Sequence, residues 1–456
     1  MEQIGFGFPA NPRKTALYEV EEWYQKTLAN RLGRAYEPIK RSNFGEYAMA
    51  VNYLTSVLEE AKAIEKVAIF NIDHMAQIRV SGPDAINLLE RVLPVQIGTM
   101  RIGQCKYTLL LSPRGTVIDD LIIMRLSGQE FILVINAGHD LTCKERELIS
   151  DADYINSFRR SFENVAISDI SDRLVKIDVQ GLLSYRLIKE LYGESCLRNR
   201  NNPDKNMSFF TFNEFDYEGN HYLISRTGYT NRWGWELYLE QHVAEAQFKR
   251  IALKALELGG LVVGLGGRDE NRISAGNFGL PLNGSEYDRK HTPVNCPLFS
   301  AAIDLTKTEF VGKEAITKEI SAGIDKRMVL FITEGIVTGR AIYRDGKRLG
   351  SVTSSINSPN VSQEKRVFIG SSRKNVNEPE GTAAIGIGWL YHNPFDTDSE
   401  GNDILEKDGQ AVRIRVEFYR EAEKGEPTGK AIIGYISGDG VNPATASKPL
   451  KHIENL

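Results

Sequence analysis

Apolar side chains near the start of the chain recur every three or four positions, which is the spacing of one face of an α-helix. They form two series, Leu17, Val20, Tyr24 and Leu28, then Met49, Tyr53, Val57 and Ala61. The pattern predicts a helical extension over residues 1–66. We expect its apolar face to pack on the rest of the protein, because a one-sided apolar helix is stabilised by burying that face.

From residue 67 onward, the pattern changes to short apolar runs typical of strands, separated by helical stretches. VSGPDAINLLERV, from residue 80, and VQGLLSYRLIKEL, from residue 179, share one order of features. Each passes from a strand through a glycine into a helix with an apolar face. This repeat predicts two ferredoxin-like βαββαβ units, at about 67–165 and 166–324, which together form a core over 67–324.

Long helical patterns are absent after about residue 325, where short strand-like runs replace them. Asp345-Gly346 lies between two of these runs and is typical of a tight hairpin turn. The pattern therefore predicts a C-terminal β-barrel over residues 325–456. With helices and strands both present upstream, the predicted fold class is α+β.

Composition narrows the class of protein. The chain has 456 residues, 41% of them hydrophobic and 25% charged, which is close to globular averages and excludes a disordered or collagen-like chain. Its formal charge of −4 argues against general electrostatic binding of nucleic acid. The four cysteines form no CxxC pair, which favours a reducing compartment over a disulfide framework.

Targeting and metal signals are weak. No apolar run is long enough to span a membrane, and the first residues lack a secretory pattern, so we expect a cytoplasmic protein.

The segment 396–407 resembles a calcium loop at Asp396, Asp398 and Gly401, but its twelfth position is Lys407 instead of a bidentate Glu. The sequence therefore predicts no metal site.

The strongest local anomaly is Asp119-Asp120, which lies within the apolar run VIDDLIIM. Successive strand residues point to opposite faces, and both faces of this run are apolar. At least one carboxylate is therefore expected in a low-dielectric region, where it needs hydrogen bonds or retains its proton. The alternative is that one aspartate caps the preceding turn while the other is solvated. Periodicity alone leaves the two interpretations open.

Two further clusters suggest ligand binding. SRTGYTNRWGWELYL (225–239) sets Tyr229 and neighbouring tryptophans beside Glu236, an arrangement that could hold a flat heterocycle by stacking and polar edge contacts. GLGGRDENRISAG (264–276) carries Arg268, which could grip a carboxylate. The alternatives are an aromatic hairpin packed on the core and an internal Arg–Asp ion pair.

Taken together, five ordered segments and a sixth in the predicted barrel resemble the glycine-cleavage T-protein (aminomethyltransferase) superfamily, which includes tetrahydrofolate-dependent demethylases. The matching segments are FNIDHMAQIRVSGPDA, KYTLLLSPRGTVIDDLIIMRL, SRTGYTNRWGWELYL, GLGGRDENRISAGNFGLPLNG and FVGKEAI, followed by RLGSVTSSINSP. They span roughly residues 67–360. The resemblance implies a three-domain cloverleaf with tetrahydrofolate in a central channel.

The resemblance also implies roles for individual residues. Asp120 matches the superfamily's essential aspartate near the reactive part of the pterin, which favours it over Asp119. The implied cofactor-binding residues are Tyr107 and Ile122 beside the pterin, Glu236 at its amino-pyrimidine edge, and Tyr229 and Arg268 along the folate channel. For an aryl methyl ether donor, Tyr229 or His74 are candidate proton donors to the departing phenolate.

Departures from the T-protein pattern bear on the substrate. VNCPLFSAAIDL follows His291-Thr292-Pro293, and FNIDHM replaces FDLSHM at Asn71 and Asp73. We therefore predict an enzyme that moves a methyl group from a small O-, S- or N-methyl donor to N5 of tetrahydrofolate. The alternative is an aminomethyltransferase acting on an aminomethyl-lipoyl carrier protein. A third hypothesis, a non-enzymatic folate-binding protein of iron–sulfur maturation, is disfavoured because a KGCYxGQ-like segment is absent from the sequence.

Overall fold

The computed structural model of the protein describes residues 11–136, 150–230, 232–275, 280–282, 284–287, 290–324, 326–333, 335–357, 361–362, 367–368, 384–391, 413–422 and 426–437. These residues form helices and several separate β-sheets, which confirms the predicted α+β class. Within these ranges, no helix is long and apolar enough to cross a lipid bilayer.

The N-terminal segment contains a β-hairpin as well as the predicted helices. Its elements are α1 (Tyr18–Leu32), β1 (Lys40–Phe44), β2 (Tyr47–Asn52) and α2 (Val57–Lys62), and they lead into β3 (Ala68–Asn71). The helical prediction is wrong at Met49, which lies in β2. Gly45, with a φ of +57°, forms the tight turn between the two strands. The helix-like spacing of Met49, Tyr53 and Val57 therefore arises from a strand, a loop and a helix in succession.

Helix α1 packs as its apolar pattern predicts. Leu17, Val20, Tyr24 and Leu28 are each at most 2% exposed and belong to one hydrophobic cluster with strands of the second sheet described below. The hydroxyl of Tyr24 also accepts a hydrogen bond of 3.0 Å from the backbone N–H of Val262. The extension is therefore part of the core and not an appended arm.

The first large sheet has the order of a ferredoxin-like unit with one added edge strand. Its elements are β4 (Ala76–Ser81), α3 (Ala85–Val92), β5 (Cys105–Leu111), β6 (Val117–Ser127), β7 (Glu130–Ile135), α4 (Asp151–Ser157) and β8 (Ala166–Asp169). The strands are ordered β5-β6-β7-β4-β8, and each neighbouring pair is antiparallel. Without β5, this is the order of a βαββαβ unit.

The second large sheet has a similar order with one strand from earlier in the chain inserted in it. Its region contains β9 (Leu174–Gln180), α5 (Ser184–Tyr192), β10 (Arg198–Asn199), β11 (Asn202–Asn206), β12 (Phe212–Tyr217), β13 (Asn220–Ser225), β14 (Gly234–Glu240), α6 (Gln241–Glu257), β15 (Leu261–Val263) and α7 (Leu265–Ile273). The strand order is β12-β13-β14-β9-β3-β15. Strand β3, which the sequence interpretation grouped with the first unit, lies here between β9 and β15. Its residues are all buried, and such a short apolar strand carries no signal for one sheet over another.

A pair of glycines marks the repeat. Gly82 follows β4 and Gly181 follows β9, with φ values of +125° and +120°. A Cβ atom on Gly82 would lie 2.3 Å from the carbonyl oxygen of Asn164, and one on Gly181 would lie 2.6 Å from that of Ile64. Both strand-to-helix turns therefore require the same backbone conformation and the same lack of a side chain.

The C-terminal part contains a six-stranded barrel. Helices α8 (Pro297–Ser300) and α9 (Lys313–Ala322) lead to β16 (Arg327–Thr333), β17 (Ala341–Arg344), β18 (Lys347–Asn357), β19 (Val361–Ser362), β20 (Val367–Phe368), β21 (Ala384–Leu390), β22 (Arg413–Glu421) and β23 (Pro427–Ser437). The barrel closes in the order β16-β21-β18-β17-β22-β23. Asp345 and Gly346 form the predicted turn between β17 and β18, both with positive φ.

A buried ion pair connects the barrel to the core. The Arg272 guanidinium, at the end of α7, lies 3.0 Å from the Glu286 carboxylate and donates a hydrogen bond of 3.1 Å to Ser354 Oγ on β18. Glu286 also accepts a hydrogen bond of 3.0 Å from Thr353 Oγ1. Both charged groups are almost fully buried, so this contact depends on each of them keeping its partner.

Candidate functional site

Strand β6 buries both aspartates of the pair. Asp119 and Asp120 are 4% and 9% exposed. Both carboxylates accept a hydrogen bond from the Asn136 side-chain amide, so the two groups lie close together. Neither aspartate is the solvated turn residue of the alternative interpretation, so the sequence signal of a carboxylate in a low-dielectric region is confirmed.

Three side chains donate hydrogen bonds to Asp120. The Tyr107 hydroxyl donates to Oδ2 at 2.7 Å, and the Asn136 amide donates to Oδ1 at 2.5 Å. The Tyr287 hydroxyl also donates to Oδ1. The donors come from β5, from the residue following β7, and from the segment before α8, so distant parts of the chain fix this carboxylate in one orientation.

The pKa of Asp120 is raised to about 6, first by burial and then by the negative charge of Asp119. The hydrogen bonds from Tyr287, Tyr107 and Asn136 act in the opposite direction because they stabilise the ionised form. The carboxyl therefore titrates close to neutral pH. Such a group can take up or release a proton under physiological conditions.

Asp119 orients one of these donors. Its carboxylate accepts hydrogen bonds from the backbone N–H of Asn136 at 3.0 Å and from the Asn136 side-chain amide at 2.9 Å. The same amide donates to Asp120. Asp119 is therefore a positioning residue that holds Asn136 against Asp120 and adds a negative charge beside it.

Aromatic rings line the region next to Asp120. Tyr107 stacks on Phe299 with ring centroids 6.5 Å apart, and Tyr287 meets the same ring edge-on at 4.6 Å. Ile122 is the cross-strand neighbour of Tyr107 in the β5–β6 pair. A cleft of about 410 Å³ opens beside Tyr107, and its lining residues are Val95, Gln96, Cys105, Lys106, Tyr107, Phe210, Ala301, Ile303 and Asp304.

A second group of buried charges surrounds Glu236 on β14. Its carboxylate accepts a hydrogen bond of 2.6 Å from Thr227 Oγ1 and lies 3.6 Å from Lys176 Nζ. Asp178 is the cross-strand neighbour of Glu236 in the β9–β14 pair, so the two carboxyl groups share one face of the sheet. All of these side chains are at most 4% exposed.

Arg268 and Tyr229 connect the two groups. The Arg268 guanidinium lies over the Tyr229 ring, 4.9 Å from its centroid. Burial is the main cause that raises the pKa of Tyr229, and the negative charge of Asp120 adds to it. On the other side, Arg268 acts electrostatically on Asp178. Tyr229 is therefore close enough to Asp120, and Arg268 close enough to Asp178, to interact electrostatically. The contact between Arg268 and Tyr229 links the two groups of residues.

The internal Arg–Asp ion pair of the alternative interpretation is present within α7, where it joins Arg272 and Asp269. Arg272 donates to Asp269 at 2.6 Å, whereas Arg268 faces Tyr229. The glycines before Arg268 serve packing, because a Cβ atom on Gly264 would lie 2.5 Å from the carbonyl oxygen of Val51 in β2. The N-terminal hairpin therefore helps to fix the helix that carries Arg268.

The two candidate proton donors are poorly suited to that role. Burial lowers the pKa of His74 well below its ordinary value, with Arg268 and Lys176 adding to the effect, so the imidazole carries no extra proton at neutral pH. The Tyr229 hydroxyl already donates to the carbonyl oxygen of Pro281 at 2.5 Å, and its pKa is raised. The hydroxyl groups that contact Asp120 belong to Tyr107 and Tyr287 instead.

Sequence reasoning missed several residues of this site. Asn136 and Tyr287 follow a strand and a loop without a motif, and Lys176 and Asp178 lie in an apparently ordinary strand, VKIDVQG. The sequence does contain a signal for Lys176 and Asp178, because these two charged residues alternate with apolar residues in a strand that helices cover. Among the described residues, no three His, Cys, Asp or Glu side chains are placed to hold a metal ion, and the segment 396–407 lies outside them.

Comparison with known proteins places this geometry in a family. The family model described as the GCVT N-terminal domain matches residues 37–307, which is more than half of the chain. The chain belongs to the GCVT family. An aminomethyltransferase of Halalkalibacterium halodurans is 29% identical over 354 residues, covering 76% of this chain and 87% of that protein. One of Natranaerobius thermophilus is 27% identical over 420 residues, covering 90% and 99% respectively.

A solved structure shares the fold of this chain. The glycine cleavage system aminomethyltransferase T from Bartonella henselae superimposes with a TM-score of 0.67 at 22% identity, covering 93% of this chain and 96% of that one. The predicted superfamily is confirmed. The GCVT assignment likewise confirms the predictions of an enzyme and of tetrahydrofolate as its cofactor.

The described residues fit this cofactor. A reduced pterin presents amino, amide and carbonyl groups along one edge, and a buried site must supply hydrogen-bond partners for them. Three buried polar atoms near Glu236 have no hydrogen-bond partner among the described residues: Asp178 Oδ2, Arg268 Nε and His74 Nδ1. Such atoms are costly in a protein interior unless a ligand or water satisfies them.

Proposed function

We propose that this GCVT-family protein is a tetrahydrofolate-dependent aminomethyltransferase of the glycine-cleavage type, with a lipoyl carrier protein as its partner. The observation that carries the proposal is the buried Asp120 carboxyl, held by Tyr107, Asn136 and Tyr287 and titrating near neutral pH. The aminomethyltransferases among its relatives support this activity over methyl transfer.

We assign Asp120 as the catalytic residue. Bound tetrahydrofolate supplies the nitrogen that receives the one-carbon unit. The chain's own contribution is a carboxyl group that is mostly ionised at pH 7 and faces a water-poor, aromatic region. In such surroundings, a carboxylate stabilises nearby positive charge or accepts a proton far more effectively than in water.

The proposed binding residues follow the same geometry. Tyr107 and Ile122 bind the pterin beside Asp120, and Glu236 pairs with its amino-pyrimidine edge. Tyr229 and Arg268 line the channel between the two, which is supported by the stacking of the guanidinium on the phenol ring. The three parts of the chain, residues 67–165, 166–324 and 325–456, would surround this channel as a cloverleaf.

Methyl transfer from a small donor, our first expectation from the sequence, is the second candidate. One reason for expecting it was the pair of changes at Asn71 and Asp73, and the structure gives these residues other contacts. The Asn71 amide donates to Glu21 Oε1 at 2.8 Å, and Asp73 Oδ2 accepts from the backbone N–H of Ala16 at 2.7 Å. Both changed residues therefore contact the N-terminal segment, which gives them a structural role independent of the donor. The changed segment after Pro293 still favours this candidate.

A product assay tests the proposal. The protein is incubated with tetrahydrofolate and aminomethyl-lipoyl carrier protein, or instead with a methoxy-aromatic acid, a methylated sulfonium or a methylated amine. We expect 5,10-methylene-tetrahydrofolate and ammonia from the carrier protein. Formation of 5-methyl-tetrahydrofolate from a small donor, with no product from the carrier, would establish the second candidate instead.

A further inference from the structure

Strand β9 carries an unusual row of polar residues in the protein interior. Lys176, Asp178 and Gln180 alternate with Val175, Ile177 and Val179, which pack in the hydrophobic cluster shared with α1. All three polar side chains have no exposed surface. Burying three polar groups side by side costs free energy unless each finds a partner.

Lys176 and Gln180 each have a partner inside the protein that offsets the cost of burying them. Lys176 Nζ lies 3.6 Å from Glu236 Oε2 and 4.9 Å from the centre of the Tyr238 ring. The Gln180 amide donates to Asp178 Oδ1 at 2.6 Å and to the Thr227 carbonyl oxygen at 3.0 Å. The second oxygen of Asp178, Oδ2, has no partner among the described residues. One buried hydrogen-bonding position beside Glu236 is therefore open.

We propose that Asp178 is a ligand-recognition residue that acts together with Glu236: its carboxyl group donates a hydrogen bond to the carbonyl oxygen or ring nitrogen of the ligand's pyrimidine ring. The inference rests on the proposed function, because it concerns the pterin end of the same site. Glu236, paired with Lys176, accepts hydrogen bonds from the amino and N–H groups of that edge. A carboxylic acid and a carboxylate side by side match a ring edge that alternates acceptors and donors.

The surroundings keep Asp178 protonated. Its pKa is raised to about 8, first by burial and then by the negative charge of Glu236, while Arg268, Gln180 and Lys176 lower it. The titratable or charged groups around this face come from β14, β9, α7, the loop after β3, and β5, and they are Glu236, Tyr238, Lys176, Arg268, His74 and Cys105. Removal of the proton would replace the donor with a second negative charge.

The test compares binding of two reduced folate analogues by isothermal titration calorimetry. One is 5-formyl-tetrahydrofolate, which has the 4-carbonyl group, and the other is its 4-amino counterpart. For the natural protein we expect tighter binding of the 4-oxo compound at pH 7. The preference should fall about tenfold as the pH rises through 8, because ionised Asp178 accepts a hydrogen bond instead of donating one.

Three variants complete the experiment. Asp178→Asn keeps one donor and one acceptor, so it should bind both compounds with a ratio that no longer changes between pH 7 and pH 9. Asp178→Val should bind the 4-oxo compound roughly tenfold more weakly. Asp216→Asn, an exposed aspartate of the same sheet, is the matched control and should behave as the natural protein. Circular dichroism verifies that each variant is folded.

The outcomes separate the two proposals. If the natural protein binds neither compound, the proposed function fails together with this inference. If it binds 5-formyl-tetrahydrofolate but the preference stays constant with pH, or if the pH dependence of the preference persists in the Asp178→Asn protein, Asp178 has no part in ligand recognition. A pH-dependent preference that is lost only in the Asp178 variants supports the inference.

Discussion

The Asp120→Asn substitution should make the protein more stable and far less active. The amide has nearly the same shape, and its oxygen can accept hydrogen bonds from Tyr287 and Asn136. Its NH₂ group would face the Tyr107 hydroxyl, which can accept as well as donate. We therefore expect the fold to persist, while the negative charge and the titration are lost.

The size of the expected gain in stability follows from the raised pKa of Asp120. Raising the pKa from its ordinary value of 3.8 to about 6 means that the ionised carboxylate destabilises the fold by about 3 kcal/mol, at about 1.4 kcal/mol for each tenfold change in proton affinity. Because the folded pKa is the higher one, this cost is absent below pH 4, grows as the pH rises, and is complete above pH 6. The variant should therefore be about 3 kcal/mol more stable than the natural protein at pH 8 and similar at pH 4.

Urea unfolding at several pH values measures the gain in stability of the Asp120→Asn variant, and product formation measures its loss of activity. We expect the rate to fall about a hundredfold or more, the usual range for loss of a general acid–base group. Asp204→Asn, at an exposed position in β11, is the matched control for both measurements. A variant with the natural rate would refute the catalytic role, and a variant less stable than the natural protein at pH 8 would refute the cost of the buried charge.

Three further predictions test the support of the site. Tyr287→Phe removes a hydrogen bond that lowers the pKa of Asp120, so the acidic limb of the rate–pH profile should move to higher pH. Gly181→Ala should destabilise the fold by about 1–3 kcal/mol in urea unfolding, whereas Gly128→Ala, in open space, should change it little. Glu286→Gln removes one of the two carboxylates that pair with the buried Arg272 guanidinium, the other being Asp269, and should cost about 1–3 kcal/mol, detected as a lower melting temperature; an unchanged melting temperature would contradict the contact between barrel and core.

Local patterns predicted the elements that depend on local physics. The apolar face of α1 is visible in the sequence because burial of Leu17 to Leu28 follows the helical repeat. The turn at Asp345-Gly346 is visible because an Asp-Gly pair accommodates the positive φ that both residues adopt. Strand β3 was grouped with the wrong unit, because its partners are set by contacts 100 to 200 residues away and leave no trace in four apolar letters.

The candidate site likewise combines residues that local sequence reveals with residues that only distant contacts bring together. The pair Asp119-Asp120 is conspicuous because charges interrupt an apolar strand, and that signal is local, whereas the family resemblance favours Asp120 within the pair. Asn136 and Tyr287 are invisible in the sequence, since amide and phenol side chains are common on surfaces and only the fold brings them to one carboxylate. A pattern can therefore identify the group that carries the chemistry, whereas the groups that tune its pKa emerge only from the three-dimensional structure.

The N-terminal segment changes how departures from a family pattern should be interpreted. Asn71 also donates to Thr15 Oγ1 at 3.2 Å, so the residue contacts the segment before α1 as well as α1 itself. Burial raises the pKa of Asp73 to about 7, while the hydrogen bond from the backbone N–H of Ala16 acts in the opposite direction. Both residues therefore contact the N-terminal segment. A changed residue near an active site is informative about the substrate only after its contacts inside the protein are accounted for.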